Sequence, residues 1–281
     1  MVGRRATSYA TEAKGTMLKR LFLLVGFLLL LTVELLPRSQ DVGGLFRADG
    51  EPALGADGSE FVFARLQYGS GLANYRGFGG RGSWSVDWPE ADSHFMLGVD
   101  RLSNIRIVLD DYVSVAPLDP ALFDYPLVYA VEVGQWYLSQ EEADRLRQYL
   151  ERGGFLVVDD FWGTYEWNDF YGQLAKIFPD REVEEVPLSH PIFHSFYDID
   201  EILQVPNISN ARRGGPTWEG DGYTPHALAI FDDARRPMVM INYNTDLGDA
   251  WEHADDPSYP HLYSGFAYRM GINFIVYSMT H

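Results

Sequence analysis

Residues 125–160 constrain the fold more tightly than any other stretch of the chain. Pro126 to Val133 reads PLVYAVEV, and Phe155 to Val158 is an apolar run closed by Asp159 and Asp160. Between them, Ser139 and Glu142 have the spacing of a capping box. In that motif the serine oxygen and the glutamate carboxylate each satisfy an otherwise orphaned backbone N–H. Ala143, Leu146, Tyr149 and Leu150 then recur at helical spacing, and Gly153-Gly154 offers the positive φ that stops a helix. Parallel strands covered on both faces are continuously apolar rather than alternating, so strand, capped helix and strand together read as a βαβ unit. A parallel sheet with crossover helices implies an α/β sandwich.

The flanking segments fit that plan. Phe61 to Gln67 (FVFARLQ), Ile105 to Leu109, Ala227 to Phe231 and Met238 to Ile241 read as strands, with Val183 to Val186 as an edge strand. Asp92 to Leu102, residues 167–178 and Gly265 to Ser278 read as helices. One α/β domain over 58–281 accounts for all of them.

The N-terminus obeys a different rule. Arg4, Arg5, Lys14, Lys19 and Arg20 precede an apolar run from Leu21 to Val33 (LFLLVGFLLLLTV). A basic flank and a short apolar core make a secretory signal. The run is shorter than the roughly twenty residues of a full span, although residues 17–36 together make a marginal one. Residues 1–40 are therefore expected to be a signal peptide or a membrane anchor, and 41–57, rich in Gly, Asp and Ala, a linker. The expected location is extracytoplasmic, periplasmic or secreted, with attachment to the inner membrane through 17–36 if that segment is retained.

Charge and composition narrow the partners. The chain of 281 residues has 40 acidic and 22 basic side chains, a formal net charge of −18. Beyond residue 40 the imbalance deepens to 38 acidic against 16 basic. Nucleic acids and anionic lipid surfaces attract basic patches, so neither is an expected partner. There is no cysteine, which excludes disulfides, thiolate metal sites and cysteine nucleophiles.

Three segments carry a family resemblance: Tyr125 to Phe161, Leu188 to Tyr197 (LSHPIFHSFY) and Tyr268 to Thr280 (YRMGINFIVYSMT). With Trp84 to Asp92 (WSVDWPEAD), they resemble the bacterial domain of unknown function 4159 family. The Gly-Gly-strand-Asp and His-Pro-Ile-Phe pieces are also similar to the wider class I glutamine amidotransferase-like superfamily. That resemblance implies a flavodoxin-like three-layer sandwich with a mainly parallel sheet. It brings no established reaction, and the amidotransferase reaction needs a cysteine that this chain lacks.

Open α/β sheets bind ligands outside the carboxyl ends of their strands. Those ends here carry Glu132, Asp159 and Asp160, which are the candidate catalytic residues, and Asn242, Asn244 and Asp246. Trp136, Trp162 and Trp167 lie just beyond two of the ends, and indoles beside acids and amides suit a hydroxyl-bearing ring. The alternative is that the aspartates cap turns and the tryptophans cover the core. Paired carboxylates also serve glycoside hydrolysis when they flank the scissile bond.

Other motifs carry less. His190 and His194 in HPIFH are metal-ligand candidates, but Pro191 biases His190 to extended backbone and removes the shared helical face. Asp87, Asp92 and His94 are also ligand-type residues that no recognised spacing joins. Gly77, Gly79 and Gly82 fit G-x-G-x-x-G without a following helix, so they read as a loop. The run Asp246 to Asp256 lacks the ligand order of a calcium loop and reads as solvated. No cofactor is implied. The expected function is a non-catalytic binding or assembly module of the cell envelope, with an envelope protein or a glycan as partner. The alternative is a hydrolase of carbohydrate-like or other polar substrates acting through the acids at the sheet's carboxyl edge.

Overall fold

The structure is a computed structural model, and it describes residues 58–70, 82–109 and 112–281. The signal or anchor segment, the linker, and Gly77 and Gly79 lie outside the described residues. In chain order the elements are β1 (Phe63–Leu66), β2 (Gly69–Ser70), α1 (Glu90–Leu102), β3 (Tyr112–Val115), β4 (Leu127–Val131) and β5 (Trp136–Tyr137). Then come α2 (Gln140–Glu151), β6 (Phe155–Asp159), α3 (Gly163–Ile177), β7 (Val183–Glu185) and α4 (Ile208–Arg213). The chain ends with β8 (His226–Phe231), β9 (Pro237–Tyr243), α5 (Leu247–Glu252) and α6 (His261–Thr280).

Seven of the strands form one sheet in the order β3-β1-β4-β6-β9-β8-β7. The first five run parallel, while β8 is antiparallel to β9 and β7 to β8. Counted among themselves, the five parallel strands follow the order 2-1-3-4-5, which is compatible with a flavodoxin-like sandwich. In that order the chain reverses direction across the sheet between β1 and β4, and this crevice is where such sheets take ligands.

The capped crossover forms as its sequence dictates. Ser139 Oγ accepts the Glu142 N–H at 3.2 Å and Glu142 Oε2 accepts the Ser139 N–H at 2.7 Å. Gly153 closes the helix at φ +107°. Alternation along the strands then sorts the core into two faces. Phe63, Tyr129, Phe155 and Val157 pack with Phe95 of α1, Trp251 of α5 and Phe274 of α6. The intervening residues Val128, Ala130, Leu156 and Val158 are buried on the opposite side, where α2 and α3 pack together. Among the described residues no helix is long and apolar enough to cross a membrane.

Two expectations need correction. Ile105 to Leu109 is not a strand; the edge strand is β3, Tyr112–Val115. Glu60 holds the 105–109 segment at one point only, through a 2.7 Å backbone bond to Arg106 and its side chain to the Arg106 N–H, so no ladder extends. The acidic run after β9 is not a solvated loop. Asp246 caps α5 by accepting the Asp249 N–H, and Trp251 is driven into the core against Phe95 and Tyr129, with ring centroids 4.3 and 5.1 Å away.

A buried ion pair clamps α1 to β1. Arg65 Nε and Nη2 donate to Asp92 Oδ1 and Oδ2 at 3.2 and 2.5 Å, and both side chains are fully buried. The Arg65 Nη1 also donates to the Val86 carbonyl at 2.6 Å. Breaking such a pair from one side leaves a charge with nothing to solvate it. Asp92→Ala is therefore expected to cost about 3–5 kcal/mol in urea unfolding.

Candidate functional site

The site begins where the parallel strands stop. Val131 of β4 pairs in register with Asp159 of β6, which sets Glu132 beside Asp160 just past the ladder. The Glu132 N–H donates to the Asp160 carbonyl at 3.1 Å, and the Asp160 N–H to the Thr245 carbonyl at 3.1 Å beyond β9. Glu132 and Asp160 both have φ of +53°, and Asp87 and Asn244 have φ of +60°. Left-handed backbone costs a non-glycine residue about 1–2 kcal/mol. Four such residues at one sheet edge, all carrying acid or amide side chains, mark that edge as a place where side-chain direction outweighs backbone comfort.

Asp159 is the central link. Its Oδ2 accepts the Tyr129 hydroxyl at 2.7 Å and the backbone N–H groups of Leu247 and Gly248 at 2.7 and 3.2 Å. Burial pushes the Asp159 carboxyl up to about 7, against the pull of these donors. Gly248 is the hub: a Cβ built there would meet Asp87 Oδ2 at 2.7 Å, the Tyr129 hydroxyl at 3.3 Å and Asp246 Oδ1 at 3.6 Å. Asp160 Oδ1 accepts the Trp162 indole N–H at 3.0 Å. Burial, and then repulsion from neighbouring acids, raises Asp87, Asp160 and Asp246 well above the ordinary carboxylate range. The adjacent Arg65 is committed to Asp92, and its hold on Val86 braces the loop that carries Asp87.

A second group of acids lies on the Glu132 side. Glu132 accepts the Gln135 side-chain amide at 3.2 Å and is pushed up to about 8, first by burial and then by Glu166 and Glu219. Glu166 itself accepts the Trp162 N–H at 2.6 Å. The 214–225 loop supplies Glu219, which Asn207 Nδ2 holds by a direct hydrogen bond, and is fastened at several further points. Thr164 Oγ1 donates to Asp221 at 2.6 Å, Asn244 Nδ2 to the Thr224 carbonyl at 2.7 Å, and Gln204 Nε2 to the Gly222 carbonyl at 2.8 Å. It carries Trp218 and Tyr223, whose rings lie 5.7 Å apart and remain 39% and 64% exposed.

The structure thus brings Glu132, Asp159, Asp160, Asn244 and Asp246 to one edge. Asn242 is buried there, and among the described residues its Nδ2 has no partner. The tryptophans divide differently. Trp136 is buried and stacked on Phe170, its N–H aimed at the Phe170 carbonyl, so it belongs to the core. Trp162 is buried against Asp160, and Trp167 is half-buried among Phe161, Tyr171 and Tyr243. His190 caps the Pro191–His194 turn through its Nδ1, while both ring nitrogens of His194 are engaged by Asp198 and the Leu188 carbonyl. Sequence reasoning missed the roles of Arg65, Glu166, Glu219 and the Trp218–Tyr223 loop, and it named Asp87 as a ligand-type residue without joining it to Asp160 and Asp246. The available signals were the buried-strand arginine in FVFARLQ and the Gly, Pro and aromatic content of GGPTWEGDGYTP.

Glu132 makes stability depend on pH in an unusual direction. The groups around it are Glu166, Glu219, Asp160, Tyr68 and Gln135. Its folded pKa of about 8 lies above the unfolded value of about 4.3. Between those values the folded state binds the extra proton, so stability falls as pH rises through the interval. Chemical denaturation without divalent cations should show that decline between pH 5 and 8. Glu132→Gln should make it shallower, the remainder coming from Asp159 and the other raised acids of the edge, and an unchanged slope would remove Glu132 as a contributor.

No curated protein matches the chain. The family described as a domain of unknown function (DUF4159) matches residues 62–279, which takes in every strand of the sheet and each of the acids above. With its mostly parallel α/β sheet and the acidic rim at that sheet's carboxyl edge, the chain belongs to the DUF4159 family.

Proposed function

We propose that the protein is an extracytoplasmic binding module that holds a hydroxyl-rich ligand, of glycan type, at the carboxyl edge of its sheet. The observation that carries this reading is the joining of Glu132, Glu166 and Glu219 to the exposed rings of Trp218 and Tyr223 by one pinned loop. Exposed indole and phenol faces stack on apolar sugar faces, while carboxylates and amides accept hydroxyl hydrogen bonds. The loop's anchors to Thr164, Gln204 and Asn244 reduce the ordering cost of binding. Export is supported by the basic and apolar N-terminal segment. The strand order supports membership of the amidotransferase-like superfamily, with cysteine-dependent chemistry absent because the chain has no cysteine.

A second reading, hydrolysis, is favoured by one feature. A carboxyl held at about 8 keeps its proton at neutral pH, which is what a general acid in glycoside cleavage needs. Titration calorimetry against a panel of soluble glycans should find a ligand whose affinity falls about tenfold or more in Trp218→Ala. A folded wild-type protein that binds none of them would overturn the binding reading. Turnover on the bound ligand, lost in Glu132→Gln, would move the assignment to hydrolase. Fractionation should find the mature chain outside the cytoplasm.

A further inference from the structure

We propose that Asp87, Asp160 and Asp246 form a binding site for one divalent, oxygen-preferring cation of the magnesium, manganese or calcium class. These residues come from three separate segments: the loop before α1, the tip of β6 and the tip of β9. Each presents a carboxylate oxygen within 4.8 Å of the other two. Oxygen-only donor sets select hard cations over zinc or copper.

Two further observations point to a ligand there. Among the described residues, Asp159 Oδ1, beside the trio, and Asp87 Oδ2 are buried atoms with no hydrogen-bond partner, and the Asp87 carboxyl otherwise faces the Glu252 carboxyl. Asp159 is fully buried, so its idle oxygen is shut away from bulk water. Buried polar atoms without partners are rare and costly, and a cation satisfies several at once. The geometry is also held ready. Asp160 and Asp246 are each steadied through Oδ1, by the Trp162 indole and the Asp249 N–H at 3.0 and 2.7 Å. Arg65 steadies the Asp87 loop through the Val86 carbonyl. Supporting bonds of this kind orient ligands in metal sites. At Gly248 the missing Cβ leaves room for Asp87 Oδ2 to close on the cluster.

Among the described residues no basic side chain answers for these acids. Arg65, whose charge reaches Asp87, already forms both bonds of its ion pair with Asp92. The neighbouring trio Asp249, Glu252 and His253 is different: Asp249 Oδ2 accepts the Ile208 N–H at 2.6 Å, its Oδ1 faces His253 Nε2 at 3.6 Å, and among the described residues the trio holds no buried oxygen without a partner. It carries no separate site. The cation site does not depend on glycan binding at Trp218 and Glu132, and failure of that reading leaves it standing.

The test is manganese binding to the purified full-length chain, followed by loss of the free Mn²⁺ electron paramagnetic resonance signal. The expected result is one Mn²⁺ per chain, displaced by Mg²⁺ or Ca²⁺. Asp160→Asn and Asp246→Asn should each weaken binding more than the roughly tenfold that loss of a supporting group costs. Asp180→Asn, at an exposed carboxylate paired with Arg147, should leave binding unchanged. Melting curves guard against misfolded variants. In chelator, Asp160→Asn should melt at or above the wild-type temperature, since it removes one of the crowded acids, and it should lose the Mn²⁺-induced rise. A folded wild-type chain that takes up no Mn²⁺ at millimolar concentration overturns the proposal. So does an Asp160→Asn protein that binds as tightly as wild type.

Discussion

The Asp159 carboxylate is the interaction on which the rest of the acidic edge depends. One oxygen gathers the Tyr129 hydroxyl from β4 and two backbone N–H groups from the start of α5. Two adjacent strands and the helix that follows a third are thereby fixed to a single point. Hydrogen bonds to a carboxylate are stronger than neutral ones, and three of them inside a core specify one arrangement among many. That arrangement draws α5 inward, which seats Trp251 between Phe63, Phe95 and Tyr129. The aromatic core on one face of the sheet and the acid rim at its end are therefore consequences of the same contact.

Arg65 plays the complementary part. It is a fully buried cation at the carboxyl end of β1, its guanidinium 5.3 Å from the Tyr129 ring centre. By taking Asp92 and the Val86 carbonyl it locks α1 and the Asp87 loop to the sheet. The positive charge is spent on architecture, and the neighbouring acids are left to other partners. A chain with this many acids would ordinarily spread them over its surface for solubility. Here a share of them is turned inward and held in strained backbone at one edge.

The central unit was readable in the sequence because local and long-range preferences agree there. The capping box, the glycine stop and the apolar runs around residues 125–160 each point to βαβ, and the register then delivers Glu132 and Asp160 side by side. Asp246 was legible for the same reason, as a residue following an apolar strand. What was hidden had no periodic signature. Asp87 reaches the cluster on a loop that Arg65 braces, and Glu219 on one that Thr164, Asn207, Gln204 and Asn244 hold. Such contacts join residues far apart in the chain, and no local pattern announces them. The edge strand failed for a related reason. IRIVL is the more apolar stretch, yet YVSV is the one that finds the β1 ladder, since pairing is decided by where the chain emerges from α1.

The outermost strand on the other side, β7, has only three residues, and two of them are glutamates. Arg235 clasps Glu184 through both guanidinium nitrogens at 2.7 and 3.1 Å, and Glu185 remains exposed. An unpaired sheet margin is ordinarily a template on which another polypeptide can align and propagate a ladder. Brevity and charge deny it that use here. On this side the sheet ends at a border that discourages fibril-like stacking.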